Sequence, residues 1–284
     1  MGGFSKILVA FDDSGSSRNA LAQAIAAMPD SWIKVLAVVP VYDGDLELVG
    51  VRDVGGLLRG PRGHLLRSAQ EIAGADSGRV RIGVEQGDAF EKIVAGAEEE
   101  GCSLIVMGRR GLHNLERMLM GSVTAKVIVH SGMDVLVVPG GVDISWDRVL
   151  VATDGSVSSQ AAVARAIGFA QKHGGLIDLV SVVDMYPEFY ADAPQVVEKL
   201  ERRAVAVLEE SRAQVTAAGV KAETELLRGD PADEIRQYAR KSGGGIVFVG
   251  SRGQSGLKKV FLGNVAQKII GLSPSAVLVA KRAV

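Results

Sequence analysis

The chain is written twice. Gly108, Gly111 and Gly121 return 142 residues later as Gly250, Gly253 and Gly263; Asp12 returns as Asp154, and the pair Gly87-Asp88 as Gly229-Asp230. The apolar run Ile7-Leu8-Val9-Ala10 returns in the same register as Val149-Leu150-Val151-Ala152. An interval shared by landmarks from the first strand to the last glycine of each half calls for two copies of one domain rather than a shared short motif. The 284 residues give each copy enough chain to bury a core of its own.

Within a copy, short apolar runs alternate with segments of helical spacing. The first copy reads as strands at 7–10, 33–39, 80–85, 104–107 and 135–138. Its helices are expected at 16–28, 63–75, 89–100 and 122–130. In the first helix the apolar positions Ala20, Leu21, Ala24, Ile25 and Met28 share a face, and Ser14, Ser16 and Ser17 are candidate N-caps. The second copy repeats the order, with strands at 149–152, 177–183, 221–227, 246–249 and 276–279. Strands alternating with helices imply right-handed crossovers and a parallel sheet. The fold class is therefore α/β: two tandem, doubly wound, five-stranded parallel-sheet domains of Rossmann-like form. They are expected at 1–139 and 148–284, with residues 139–147 as the linker. In such sheets ligands bind beyond the carboxyl ends of the strands, where the strand order reverses. The Asp12 and Gly108 loops, and their copies, stand there.

Composition narrows the functional classes. A net charge of −1 provides no global field toward nucleic acid or an anionic membrane. The single cysteine, Cys102, excludes an internal disulfide and is expected to pack as a small hydrophobe. The four histidines are scattered, without metal-ligand spacing. Apolar runs fall well short of the roughly 20 residues of a membrane span, and residues 1–6 lack the pattern of a secretory signal. The expectation is a cytoplasmic protein with neither a membrane nor a nucleic-acid partner. Three further segments read as surface: the glycine-rich stretch 50–63 as a solvated loop, His113 and His130 as surface or helix-end residues, and the helix at 194–218 as an exposed one laced by pairs such as Glu198–Arg202.

The segment Gly108-Arg109-Arg110-Gly111, followed after nine intervening residues by Gly121-Ser122, leaves a buried strand and opens a helix. Glycine lets backbone N–H groups approach a ligand without a β-carbon in the way, and successive N–H groups form an anion-binding concavity. A helix begun at Gly121-Ser122 presents unsatisfied N–H groups with partial positive charge, a place for phosphate. The hydroxyls of Ser122 and Thr124 are candidate additional donors. Ordinary turn and cap chemistry accounts for such glycines equally well. The segment is neither a P-loop nor a dinucleotide fingerprint.

The spacing G-x-x-G, nine residues, G-[ST] resembles the ATP-binding motif of the universal stress protein family. The opening Ile7-Leu8-Val9-Ala10-Phe11-Asp12-Asp13-Ser14 is similar to that family's first strand and D-x-S turn, and Gly229-Asp230-Pro231 to its G-D-P turn. The resemblance covers nearly all of both halves and implies an adenine nucleotide alpha hydrolase-like fold. It further implies that Ala10 and Asp12 lie against the adenosine and that Val38 meets adenine through its backbone. Gly108, Arg109 and Gly111 would hold ribose and phosphates; Gly121, Ser122, Val123 and Thr124 would surround the terminal phosphates. The matching positions of the second half are Ala152, Asp154, Val182, Gly250, Gly253, Gly263 and Asn264. Two departures stand out: Asp13 occupies a position where the family commonly has Gly, and Asn264 replaces the Ser or Thr after the last glycine.

The resemblance implies ATP with Mg²⁺ or Mn²⁺ as cofactor, a role as a nucleotide-dependent stress-response regulator, pairing of the two domains through their last strands, face to face, and further association into a homodimer. Because Asn264 offers a bulkier amide than Ser122's hydroxyl, the first half is expected to bind ATP more tightly. No catalytic constellation is evident, so any hydrolysis is expected to be slow. The alternatives are an ATP-consuming nucleotidyl-transfer enzyme of related fold, whose S-G-G-x-D-S-like loop is missing at 11–16, and an AMP or cyclic-nucleotide sensor.

Overall fold

The computed structural model describes residues 4–41, 54–111, 120–184, 194–253 and 262–281. The first half runs β1 (Lys6–Ala10), α1 (Gly15–Ala27), β2 (Trp32–Val39), α2 (Val54–Ala73), β3 (Val80–Gln86), α3 (Ala89–Glu99), β4 (Leu104–Gly108), α4 (Ser122–His130) and β5 (Asp134–Val138). The second runs β6 (Arg148–Ala152), α5 (Val157–His173), β7 (Leu176–Val183), α6 (Pro194–Ala217), β8 (Ala222–Arg228), α7 (Pro231–Ser242), β9 (Ile246–Gly250), α8 (Asn264–Leu272) and β10 (Ala276–Ala280).

The strands form a single sheet in the order β3-β2-β1-β4-β5-β10-β9-β6-β7-β8. Within each half every pairing is parallel, and the order reverses direction at β1 and at β6. The halves join where β5 and β10 pair antiparallel: Val135 with Val279, Leu136 with Leu278, Val137 with Val277. Leu278 is the repeat copy of Leu136, so the pseudo-twofold axis passes between a residue and its own copy. The expected pairing of last strands is present, but edge to edge rather than face to face. The apolar edge of each half is covered by the other, which removes an aggregation hazard.

Alternating strand residues sort the core into two layers, each continuous across the seam. Ile7, Val9, Val106, Leu136, Val151 and Leu278 pack under α1, α2, α5 and α6. Leu8, Ile105, Val137, Leu150, Val247 and Val277 pack under α3, α4, α7 and α8. Cys102 is buried in the second layer, and burial pushes its thiol pKa up, as fits a small hydrophobe.

The linker is fastened to α1. Asn19 Nδ2 donates to the Pro139 and Val142 carbonyls, each at 2.8 Å, and Gln23 Oε1 accepts from Ile144 N–H at 2.8 Å. Trp146 Nε1 donates to the Ala27 carbonyl at 2.9 Å while its ring stacks on Phe169 with centroids 4.4 Å apart. The two halves are thus not beads on a loose tether.

Two expectations are corrected. The glycine-rich stretch is helical from Val54 onward, so α2 begins nine residues before the sequence pattern placed it. Leu65, Ala69, Ile72 and Ala73 dock α2 into the core, and tertiary packing overrides the low helix propensity of its glycines. Residues 50–53 lie outside the described residues. The exposed reading of α6 holds for one face, where Glu198 and Arg202 pair at 3.7 Å. The other face, with Val197, Ala204, Leu208, Ser211 and Val215, is buried. That spacing of three and four residues was legible in the sequence.

Candidate functional site

The site is built where β1 and β4, and again β6 and β9, end at the point of strand reversal. Ser14 caps α1 by accepting from Ser17 N–H at 3.3 Å, and its own N–H donates to Asp12 Oδ1 at 3.1 Å. Ser14 Oγ also donates to Asp12 Oδ1 at 2.6 Å. Ser16 Oγ donates to the Arg110 carbonyl, which stitches the start of α1 to the glycine loop. The second half repeats the arrangement: Ser156 N–H donates to Asp154 Oδ1 at 2.9 Å and Ser156 Oγ to the Arg252 carbonyl at 3.3 Å.

The glycines divide by what a side chain would meet. At Gly108 a β-carbon would lie 2.8 Å from the backbone of Ser16 and Ser17, and at Gly250 it would lie 2.6 Å from the Ser158 carbonyl carbon. These two let the strand end touch the helix start. At Gly111 it would strike the Asp12 carboxylate, and at Gly253 it would come within 2.9 Å of Asp154 Oδ2. These two bring the acidic side chain against the loop. Gly121 and Gly263 differ: among the described residues the nearest protein atom would be 3.5 Å away, ordinary contact distance. Their φ values, both −62°, suit any residue. Neither the packing of the described residues nor the backbone conformation demands glycine there.

Both are N-caps, and neither helix has a side-chain cap. By contrast α1, α3, α5 and α7 are capped by Ser14, Asp88, Ser156 and Asp230. The first intrahelical bond of α4 runs from Ala125 N–H to the Gly121 carbonyl at 3.0 Å, so the amides of residues 122–124 precede it. Asn264 sits one position inside its helix, and Gly263 holds the cap position.

Val38 and Val182 are placed by strand parity. Phe11 N–H donates to the Leu36 carbonyl at 3.0 Å and Gly87 N–H to the Val39 carbonyl at 3.0 Å, from opposite sides of β2. Backbone groups alternate along a strand, so those of Val38 face the side from which β1 has turned away. The same parity, from Thr153 N–H on Val180 and Gly229 N–H on Val183, turns Val182 to the matching gap.

In the C-terminal half these residues enclose a cavity of about 580 Å³, a size usual for small-molecule sites. Ala152, Asp154 and Val182 line one end; Gly250, Gly253, Gly263 and Asn264 line another. Leu200, Arg203, Ala204 and Val207 of α6 complete the wall, a contribution that the surface reading of this helix missed. In the N-terminal half Ala10, Asp12, Val38, Gly108, Gly111, Gly121, Ser122 and Val123 hold the corresponding places. Residues 112–119, including His113, lie outside the described residues.

Two expected phosphate donors are engaged elsewhere. Thr124 is buried, and its hydroxyl donates to the Gly108 carbonyl at 3.1 Å, behind the loop. A hydroxyl has one proton to give, so Thr124 braces the glycine loop. Arg109 reaches away to the Ser273 carbonyl of the other half at 2.8 Å. Burial, and then the neighbouring Arg110, lower its pKa from the ordinary value. Asp12 and Asp13 do not converge. Asp13 pairs with Arg18 at 2.7 Å and accepts from Ser68, whereas Asp12 faces Gly111. Among the described residues no group of three metal-ligating side chains occurs.

A repeated α/β domain with a glycine loop, a helix without a side-chain cap and a crevice at the strand reversal defines the doubly wound class of protein, in which ligands bind at that crevice. The chain belongs to the universal stress protein family, whose profile matches residues 3–139 and again 145–281. It is 30% identical over 149 residues to universal stress protein YxiE of Bacillus subtilis, covering 48% of this chain and 99% of that one. It is 26% identical over 232 residues to a universal stress protein of Mycolicibacterium smegmatis, covering 77% of this chain and 76% of that one. The fold of a universal stress protein from Archaeoglobus fulgidus superposes with a TM-score of 0.73 at 23% identity, covering 98% of this chain and 96% of that structure. No helix among the described residues is long and apolar enough to cross a membrane.

Proposed function

We propose that this chain binds ATP through its glycine loops and acts as a nucleotide-dependent regulator in the stress response, in the cytoplasm. The observation that carries the reading is the pair Gly121 and Gly263. Helices favour Ser, Thr, Asp or Asn at the N-cap, and four helices of this chain use them. At α4 and α8, in repeat register, the cap is a glycine that packing among the described residues does not require. The missing side chain leaves a cradle at an open helix N-terminus, which suits a phosphate. The C-terminal cavity, lined by all the residues assigned to that half, supports the same reading.

Mg²⁺ or Mn²⁺ belongs to it as a cation held chiefly by the phosphates, since Mg²⁺ is commonly bound by one or two carboxylates plus substrate phosphates; Asp12 and Asp154 are the carboxylates at hand. Residues 1–139 and 148–284 are the functional units. Self-association of two chains also belongs to the reading, because β3 and β8 end the sheet; sedimentation analysis decides it. Hydrolysis in this reading is slow or absent, because the carboxylates that face the glycine loops, Asp12 and Asp154, are assigned to the cation.

The test uses the full chain. Mass spectrometry of nucleotide retained through purification is expected to find an adenine nucleotide, and ATP with Mg²⁺ at 100 times its dissociation constant is expected to stabilise a singly occupied site by about 2.7 kcal/mol. Gly121→Val and Gly263→Val should each remove one site. An unchanged thermal shift in the double variant would sink the assignment. A competition among ATP, ADP, AMP and cyclic AMP separates it from a cyclic-nucleotide sensor.

A further inference from the structure

Asp13 is the only non-glycine residue with positive φ among the described residues, at 64°. Its repeat copy, Gly155, has φ 76°, so the turn between Asp12 and Ser14 demands the left-handed region in both halves. The second half meets the demand with glycine. The first uses aspartate, which tolerates this conformation at some cost, and strained residues of this kind persist where the surroundings over-determine them.

The surroundings of Asp13 come from two helices. Arg18 of α1 donates to its carboxylate at 2.7 Å, Ser68 of α2 donates to the same oxygen, and His64 Nδ1 of α2 lies 3.3 Å from the other. Arg18 also donates to Ser68, which closes the cluster. Ser68 is buried, and the Asp13 side chain is 18% exposed. Burial pushes the Asp13 carboxyl up, but the Ser68 and Arg18 hydrogen bonds with the Arg18 and His64 charges hold it below its ordinary value.

The second half cannot form this cluster. At the repeat interval Arg18 becomes Gln160, His64 becomes Ala206 and Ser68 becomes Glu210. The Gln160 Oε1 atom is buried without a hydrogen-bond partner. Yet α6, the counterpart of α2, forms a wall of the C-terminal cavity through Leu200, Arg203, Ala204 and Val207.

We propose that Asp13 is a positioning residue that latches α2 onto the β1 loop, so that the N-terminal site has a fixed wall and releases its ligand slowly while the C-terminal site, where Gly155 stands in place of Asp13, exchanges quickly. The inference rests on the nucleotide reading above. It accounts for a strained aspartate at the one position of the loop where the repeat copy is glycine. It also sets the two sites apart by kinetics rather than by the chemistry of the phosphate cradle.

The test is the release of radiolabelled ATP, chased by excess unlabelled ATP, from the full chain carrying Gly263→Val, which leaves the N-terminal site to be read alone. Asp13→Gly keeps the turn and removes the latch from the loop side. Ser68→Ala removes one of its hydrogen bonds from the α2 side without touching the turn. Both should speed release about tenfold, the effect of losing roughly one charge-assisted hydrogen bond. A contact that only supports the fold would lower the melting temperature and leave release unchanged. Unchanged release in both variants, or acceleration in Asp13→Gly alone, overturns the latch and leaves the nucleotide reading standing. Absence of ATP binding before either change overturns the nucleotide reading and the latch with it.

Discussion

Arg109 Nη1 donates to the Ser273 carbonyl at 2.8 Å, joining the glycine loop of the first half to the C-cap of α8 in the second. The opposite end of α8 begins at Gly263, in the C-terminal cavity. A cation at the C-terminus of a helix complements its dipole. The reciprocal contact is made by a different residue: Lys281 Nζ donates to the Ile128 carbonyl in the last turn of α4, whose N-terminus is the other cradle proposed for phosphate. Each cradle helix is thus held at its far end by a cation from the opposite half. The repeat copy of Arg109 is Ser251, too short to make the same reach.

Arg109→Ala should destabilise the full chain by about 1–3 kcal/mol, since it leaves the carbonyl of the buried Ser273 without this donor. Urea unfolding at constant m measures it. A midpoint equal to that of the parent would show that the contact contributes nothing net.

The glycines should separate stability from binding. Gly250→Ala places a methyl 2.6 Å from the Ser158 backbone, and overpacking of this kind costs about 1–3 kcal/mol. Gly263→Ala meets nothing nearer than 3.5 Å and should unfold with the parent. Gly263→Val should fold and lose its share of the ATP-dependent thermal shift. Equal destabilisation by the two alanine variants would contradict the division of roles.

Lys281 should give the stability curve a distinct alkaline limb. Burial lowers its ammonium to about 8, Arg252 adds repulsion, and Asp134 pulls the other way. In the unfolded chain a lysine titrates near ~10.4. Between these values the unfolded state binds the proton that the folded state has lost, so this group's contribution rises with pH there; its cost is fully present below the folded value. Relative to Lys281→Met, the parent should gain stability from about pH 8 to pH 10. Parallel curves would show that the amine is not held as described.

Trp146→Ala should cost about 3–5 kcal/mol, the range for large aromatic truncations, because Trp146 both bonds to Ala27 and stacks on Phe169. Unfolding followed by far-ultraviolet circular dichroism, which reports on both halves, should remain a single transition in the parent. Two separate transitions in the parent would mean that the halves unfold independently despite the shared sheet.

Binding should differ between the halves when read in the full chain, because cutting at the linker would expose the β5 and β10 edges that cover each other. If Asn264 is a poorer partner for terminal phosphate than Ser122, Gly121→Val should cost more ATP affinity than Gly263→Val, about ten- to a hundredfold for one charged hydrogen bond. Calorimetry finding the larger loss in Gly263→Val would reverse the order of the two sites.

The amino-acid sequence by itself determined the two copies, their strand and helix order and the glycine loops, whereas the pairing of last strands was implied only by the resemblance to a family. The copies, the order and the loops rest on local or repeated signals: apolar periodicity, turn residues and a constant interval. The α6 stripe at Val197, Ala204, Leu208, Ser211 and Val215 was equally local and readable. The tertiary structure decided what depended on partners distant in sequence. Thr124 turned from ligand donor to brace because the Gly108 carbonyl lies behind it, and Arg109 turned to Ser273 across 164 residues. The left-handed Asp13 is held by Arg18 on α1 and by Ser68 and His64 on α2. Helical geometry from Val54 onward prevailed over a run of glycines because the later turns of that helix dock into the core. Periodicity reports which face of an element is buried, but a polar side chain's partner depends on which distant backbone groups the packed core brings within hydrogen-bond reach.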